Sequence, residues 1–174
     1  TIITSVSQLV TLPLQGVCQG GQPIISYNYG AGHGDRVKKT FFLVFSVCMT
    51  YTVLFWAAVL LFPSVFAGIF TTNAELSGYT SWALRIYMAG IFACGAQCSC
   101  QQSFMALGQA KVSLLLACLR KIVLLIPLIL ILPHVLPFDP VFSVFLAEPV
   151  SDIAAAVITT ITFLARFNRI LEMR

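Results

Sequence analysis

Long apolar runs broken by short polar or glycine-rich turns set the pattern of this chain. Five runs reach the length of about 20 mostly apolar residues that a bilayer crossing needs. They cover about 2–29, 41–62, 82–107, 112–132 and 141–163. None alternates with a period of two, as a lipid-facing barrel strand does. Helices and closed barrels are the structures that satisfy their own backbone in lipid, so each run is predicted to be a helix. The expected fold class is an all-α membrane protein with five transmembrane helices and loops over 63–81 and 133–140.

Polar residues inside these runs are not scattered. In the first, Thr4, Gln8, Thr11, Gln15, Gln19, Gln22 and Ser26 recur at steps of three or four, which is one face of a helix. Glutamines are too costly to point at lipid, so this face must turn toward other helices or a wet cavity. Hydrogen bonding between helices, about 0.6–2 kcal/mol per contact, and a wall for a polar or cationic solute both satisfy that demand. Pro13 and Pro23 sit in the same run and can kink it. The third run repeats the theme with Tyr87, Cys94, Gln97 and Gln101, beside the small residues Gly90, Gly95 and Ala96. The candidate cavity residues are therefore Gln15, Gln19, Gln22, Ser26, Tyr87, Gln97 and Gln101.

The fifth run contains the acids that fall within a span, Glu148 and Asp152, four residues apart and on one face. An intramembrane carboxylate is a functional-site hypothesis by default. Two readings stand: a proton- or cation-coupling pair, or partnership with Arg120 or Lys121 of the fourth run. Those two bases lie about 14 Å along the helix from the short cytoplasmic turn that ends at Lys111, at 1.5 Å per residue.

Composition supports the membrane class. The chain of 174 residues is 59% hydrophobic and 9% charged, with mean hydropathy +0.93. Soluble domains carry about 25% charged residues, which this surface lacks. The net charge of +4 matters less than its placement. Arg36, Lys38 and Lys39, then Lys111, then Arg166, Arg169 and Arg174 mark alternate connections, whereas 63–81 and 133–140 hold only the acids Glu75 and Asp139. Basic connections lie in the cytoplasm, which predicts an outside N-terminus and a cytoplasmic C-terminus. Arg85 is the residue that departs from this pattern. The chain starts at Thr1 inside an apolar run, without a signal-peptide pattern, and its span count is odd; both features predict a fragment of a longer protein.

The six cysteines all fall inside apolar runs and read as small apolar residues, with no metal site expected. His33 and His134 read as loop residues. No nucleophile–base set, phosphate-binding glycine loop or HExxH pattern occurs, and no basic run carries interleaved aromatics. An enzyme and a nucleic-acid binder are therefore not expected.

The stretch GGQPIISYNYGAGHGDRVKK, residues 21–40, resembles a signature in the C-terminal lobe of MATE (multidrug and toxic compound extrusion) transporters, in particular their DinF-like and MepA-like branch. QQSFMALGQAKVSLLLACLRKIVLLIPLIL resembles that family's tenth-to-eleventh helix region, and AEPVSDIAAAVITTITF resembles its last helix. The resemblance covers nearly the whole chain. It implies helices eight to twelve of a twelve-helix transporter of two lobes, in the bacterial inner membrane, with the N-terminal lobe as missing partner. It implies export of drugs and organic cations by exchange with protons or sodium ions and no other cofactor. In the NorM-like branch an acid in helix ten helps form the cation site, and the third run here has no acid between Trp82 and Lys111. In DinF-like members a coupling acid lies in the first helix, outside this chain. A lipid-linked sugar flippase of the same superfamily and a non-transporting membrane assembly subunit are the alternatives.

Overall fold

The computed structural model describes residues 2–70, 74–135 and 140–172. Every described element is helical. In chain order they are α1 (Ile2–Gly30), α2 (Gly34–Leu61), α3 (Pro63–Phe70), α4 (Ala74–Tyr87), a 3-10 turn (Met88–Gly90), α5 (Phe92–Ala106), α6 (Ala110–Cys118), a π-helical stretch (Leu119–Leu125), α7 (Ile126–Val135) and α8 (Pro140–Glu172). Three helical stretches are long and apolar enough to cross a membrane: Gly34–Leu61, Ala110–Val135 and Phe142–Glu172. The protein is an all-α membrane protein. Glutamines dilute the hydropathy of α1, and the 3-10 turn divides the run predicted over 82–107 into two shorter helices.

The predicted loop over 63–81 is largely helical. Pro63 opens α3, where its fixed φ suits a first helical turn. Phe66 packs on the core and meets Phe55 with ring centroids 5.5 Å apart, so the short helix folds back onto α2. His134 also lies in a helix rather than a loop, because α7 runs on through Pro133; its Nδ1 is 2.8 Å from the Leu130 carbonyl. Asp139 and Arg174, used above to argue topology, lie outside the described residues.

Two glycines end helices in the left-handed region, each with φ of 75°. After α1, the His33 amide donates to the Asn28 carbonyl and the Gly32 amide to that of Tyr29. After α5, the Gln109 amide donates to the Phe104 carbonyl and the Gly108 amide to that of Met105. This paired closure satisfies end carbonyls and strains any residue with a Cβ. It accounts for the glycine-rich exit from the first run into the basic turn.

The core has two apolar centres. One gathers Val6, Val10 and Leu14 of α1 with Val44 and Val59 of α2 and Leu84 and Met88 beyond them. The other stacks Phe41, Phe104, Phe163 and Phe167, with centroids 4.5 Å apart between Phe41 and Phe163 and 4.8 Å apart between Phe163 and Phe167. Ring pairs of this kind add about 0.5–1.5 kcal/mol beyond burial. Small residues bring the helices close. A Cβ on Gly95 would lie 2.5 Å from Thr52 Oγ1 and 2.9 Å from the Cys48 carbonyl oxygen, so α5 rests directly on the α2 backbone. A Cβ on Gly90 would lie 2.7 Å from the Pro149 Cα, where the 3-10 turn meets α8.

Gly95→Leu is expected to destabilise the protein by about 1–3 kcal/mol through overpacking at backbone. The check is thermal unfolding of the full-length protein purified in detergent. A wild-type melting temperature would show that α2 and α5 do not meet as described.

Candidate functional site

A cavity of about 230 Å³ opens between α1, α5 and the π-helical stretch. Thr11, Leu14 and Gln15 supply one wall, and Cys94, Gln97, Cys98, Gln101 and Gln102 the other, with Arg120 at the end. The spacing of three or four residues on α1 and α5 turns these side chains to one side of each helix. The cavity is polar because two glutamine-bearing faces meet across it.

Gln97 is 3% exposed, and its Oε1 accepts no hydrogen bond. A buried carbonyl left in that state costs about 1–3 kcal/mol. It is an acceptor held ready for a donor. Gln101 also joins α5 to α6: the Ser113 hydroxyl donates to its carbonyl at 3.3 Å.

Behind the cavity stands a charge cluster. Arg120 donates through Nε to Asp152 Oδ1 at 2.8 Å, and its Nη2 meets the same oxygen. The Cys94 thiol donates to Asp152 Oδ2 at 3.6 Å. Ser151 donates to the Arg120 carbonyl at 3.1 Å, tying the widened helical turn to α8. One turn away, Lys121 Nζ lies 3.4 Å from Glu148 Oε1. The two pairs differ in wetness. Asp152 is buried and Arg120 largely shielded, whereas the Lys121 side chain is 57% exposed. Tyr87 stands beside the same acids, its ring edge-on to Phe145 at 6.4 Å.

Both acids of the fifth run thus have a basic partner, Asp152 in Arg120 and Glu148 in Lys121, as the second reading of the pair required. Acids four apart on α8 face one side, and consecutive bases on the π-helical stretch reach both because their side chains are long. Desolvation makes the inner pair interdependent: removing one partner of a buried pair costs about 3–5 kcal/mol, since the other charge is left bare.

Residues 1–131 match the family model described as MatE. The chain belongs to the MatE family. Multidrug export protein MepA of Staphylococcus aureus (strain NCTC 8325 / PS 47) is 27% identical over 158 residues, which are 87% of this chain and 33% of that protein. Its namesake from Staphylococcus saprophyticus (strain ATCC 15305) is 26% identical over 155 residues, with the same coverage. The chain therefore spans about a third of the length of these curated relatives. Among solved structures, the MATE multidrug transporter DinF-BH superposes with a TM-score of 0.83 and 31% identity, over 97% of this chain and 37% of that one. A MATE crystal structure in the bent conformation reaches a TM-score of 0.91 at 16% identity, over 99% of this chain and 38% of that one, and speaks for the fold alone.

Within this MatE chain the residues singled out from sequence divide into three groups. Gln15, Gln97 and Gln101 line the cavity together. Gln19 is exposed and Gln22 half-buried on α1, and neither is on the cavity wall. Ser26 and Tyr87 are placed elsewhere. Ser26 donates to the Ala106 carbonyl at 3.0 Å, closing the end of α5 against α1, and Tyr87 belongs with the acids. Cavity residues outside that candidate set are Thr11, Leu14, Cys94, Cys98, Gln102 and Arg120. Gln102 adjoins a chosen residue and was visible; Arg120 reaches the wall through the π-helical stretch, which composition does not signal.

Asp152→Ala is expected to lose about 3–5 kcal/mol of stability, whereas Arg120→Met with Asp152→Leu is expected to fall close to wild type. Melting curves of the wild-type, single-variant and double-variant full-length proteins in detergent decide this. Equal losses for the single and double variants would mean that the charges do not act as a pair.

Proposed function

We propose that this chain is the C-terminal lobe of a secondary multidrug exporter. The full protein would move drugs and organic cations out of the cell against protons or sodium ions, by rocking two lobes around a midplane site. The observation that carries the reading is the glutamine-lined cavity on α1 and α5, in a MatE chain whose curated relatives are named multidrug export proteins. Amide walls suit a broad set of substrates because they offer donors and acceptors without a fixed charge. Gln15, Gln97 and Gln101 meet the solute, with Gln19 and Gln22 continuing the same helix face toward the other lobe.

Five crossings are proposed, with α1 and the α4–α5 pair added to the three apolar stretches, an outside N-terminus and a cytoplasmic C-terminus in the bacterial inner membrane. Glu148 and Asp152 are the proposed coupling groups of this lobe. Glu148 is the better placed to exchange a proton or cation, because its base partner is exposed and 3.4 Å away. Asp152 is held more tightly and would tie the state of the cavity wall to α8.

A lipid-linked sugar flippase is the second reading. An anionic pyrophosphate cargo calls for free positive charge in the cavity. The cavity base Arg120 is already neutralised by Asp152, which favours cationic drugs.

The test is ethidium efflux from cells producing the complete transporter, with proton and sodium gradients imposed separately. Efflux driven by one gradient is expected and names the ion. Its absence at confirmed surface expression would overturn drug export and make lipid transport the next assay.

Glu148→Gln is expected to reduce gradient-driven efflux several-fold at equal expression. Wild-type efflux in that variant would remove Glu148 from the coupling role. Gln97→Leu is expected to weaken ethidium binding to the purified transporter about fivefold to thirtyfold, the equivalent of one lost hydrogen bond of about 1–2 kcal/mol. Unchanged fluorescence-detected affinity would place the solute elsewhere.

A further inference from the structure

Two thiols from two helices meet beside the cavity, and a third thiol packs on the same core. Cys18 of α1 and Cys48 of α2 face each other with Sγ atoms 3.5 Å apart. Cys98 of α5 packs against the same apolar core that holds Cys18 and Cys48. Cys18 and Cys48 are 2% and 1% exposed, while Cys98 is half-buried and stands on the cavity wall. All three are free thiols. Among the described residues no group of three or more His, Cys, Asp or Glu converges as a metal ion requires. The arrangement is a close dithiol with a third thiol leading to it from the cavity.

We propose that this cluster captures trivalent arsenicals, which enter through Cys98 and are held by Cys18 and Cys48. Soft thiolate ligands select soft centres. Trivalent arsenic bonds pyramidally, so two sulfurs bound to it stay almost in contact, as these two already are. A linear two-coordinate soft ion would force the pair apart. A disulfide would need an oxidant, and arsenical capture needs none.

The steps balance without electron transfer. Phenylarsine oxide adds the Cys98 S–H across its As=O bond, giving a Cys98–S–As linkage and an As–OH. Cys18 then displaces the hydroxyl, which leaves as water with the thiol proton. Cys48 finally displaces Cys98, which regains a proton as free thiol, and the arsenic bridges Cys18 and Cys48. The probe is compact and uncharged, which suits entry into a cavity of about 230 Å³. Capture needs no transport cycle, so it stands apart from the exporter reading.

The experiment treats the full-length transporter in detergent with phenylarsine oxide and maps the product by peptide mass spectrometry. One phenylarsenic group linking the Cys18 and Cys48 peptides is expected, released by a dimercaptan and retained against a monothiol. Cys18→Ala and Cys48→Ala are each expected to lose the bridge. Cys98→Ala is expected to slow capture and leave its end point, a kinetic signature that general loosening of the fold would not give. Cys118→Ala, at an exposed position in α6, is expected to leave the bridge intact. In a parallel sample treated with N-ethylmaleimide alone, Cys98 is expected to be labelled, and an unlabelled Cys98 would overturn entry through it. Absence of the Cys18–Cys48 bridge would overturn the proposal, as would a bridge that survives Cys18→Ala.

Discussion

A bilayer core offers a charge no water, and that constraint organises the heart of this fold. Arg120 and Asp152 are tolerable in apolar surroundings because each supplies the other's counter-charge. Their union fixes the rotation of the fourth run against α8. That rotation puts Ser151 on the Arg120 carbonyl and Cys94 on the second carboxylate oxygen. It also places the guanidinium at the end of the cavity. Without the pair, the wall between the cavity and α8 would have no reason to take this form.

The same rule sorts the polar residues of α1. Some meet the cavity, as Thr11 and Gln15 do, and some close helix ends, as Ser26 does. Two further glutamines on that stripe, Gln8 and Gln19, are exposed. A polar face left uncovered on a membrane helix calls for a polar or protein neighbour, which fits a chain spanning about a third of its curated relatives. The polar stripe is thus shared between the chain's own cavity and whatever lies against it.

Much of this was legible in the sequence. Apolar runs announced the helices, and the three-or-four-residue rhythm of glutamines announced an inward face. Arg120 and Lys121 were legible as partners for the acids, though neighbouring amides or hydroxyls stood open for Asp152. What stayed hidden depends on hydrogen-bond register and close contact. The π-helical stretch over Leu119–Leu125 has an ordinary membrane composition, because a widened turn is a change in which carbonyl an amide finds. The 3-10 turn at Met88–Gly90 arises where Gly90 lets Pro149 come against the backbone, a contact between residues far apart in the chain. Residues 63–81 looked like a loop because short helices such as α3 draw their stability from packing, here of Phe66, rather than from length.

The contact between Gly90 and Pro149 has a mechanical meaning. Two backbones touch there with no side chain between them, so the crossing has no soft layer to compress. Closer approach at that point is blocked, so a tilt of α8 against the turn has to pivot there. Pro149 divides α8 unequally, with about 14 Å of helix before it and about 35 Å after it at 1.5 Å per residue. A small tilt that moves the end of the short arm by one step therefore swings the far end of the long arm more than twice as far, and Phe163 and Phe167 ride on that arm. The crossing is a fulcrum, and α8 is a lever whose acids sit beside the pivot.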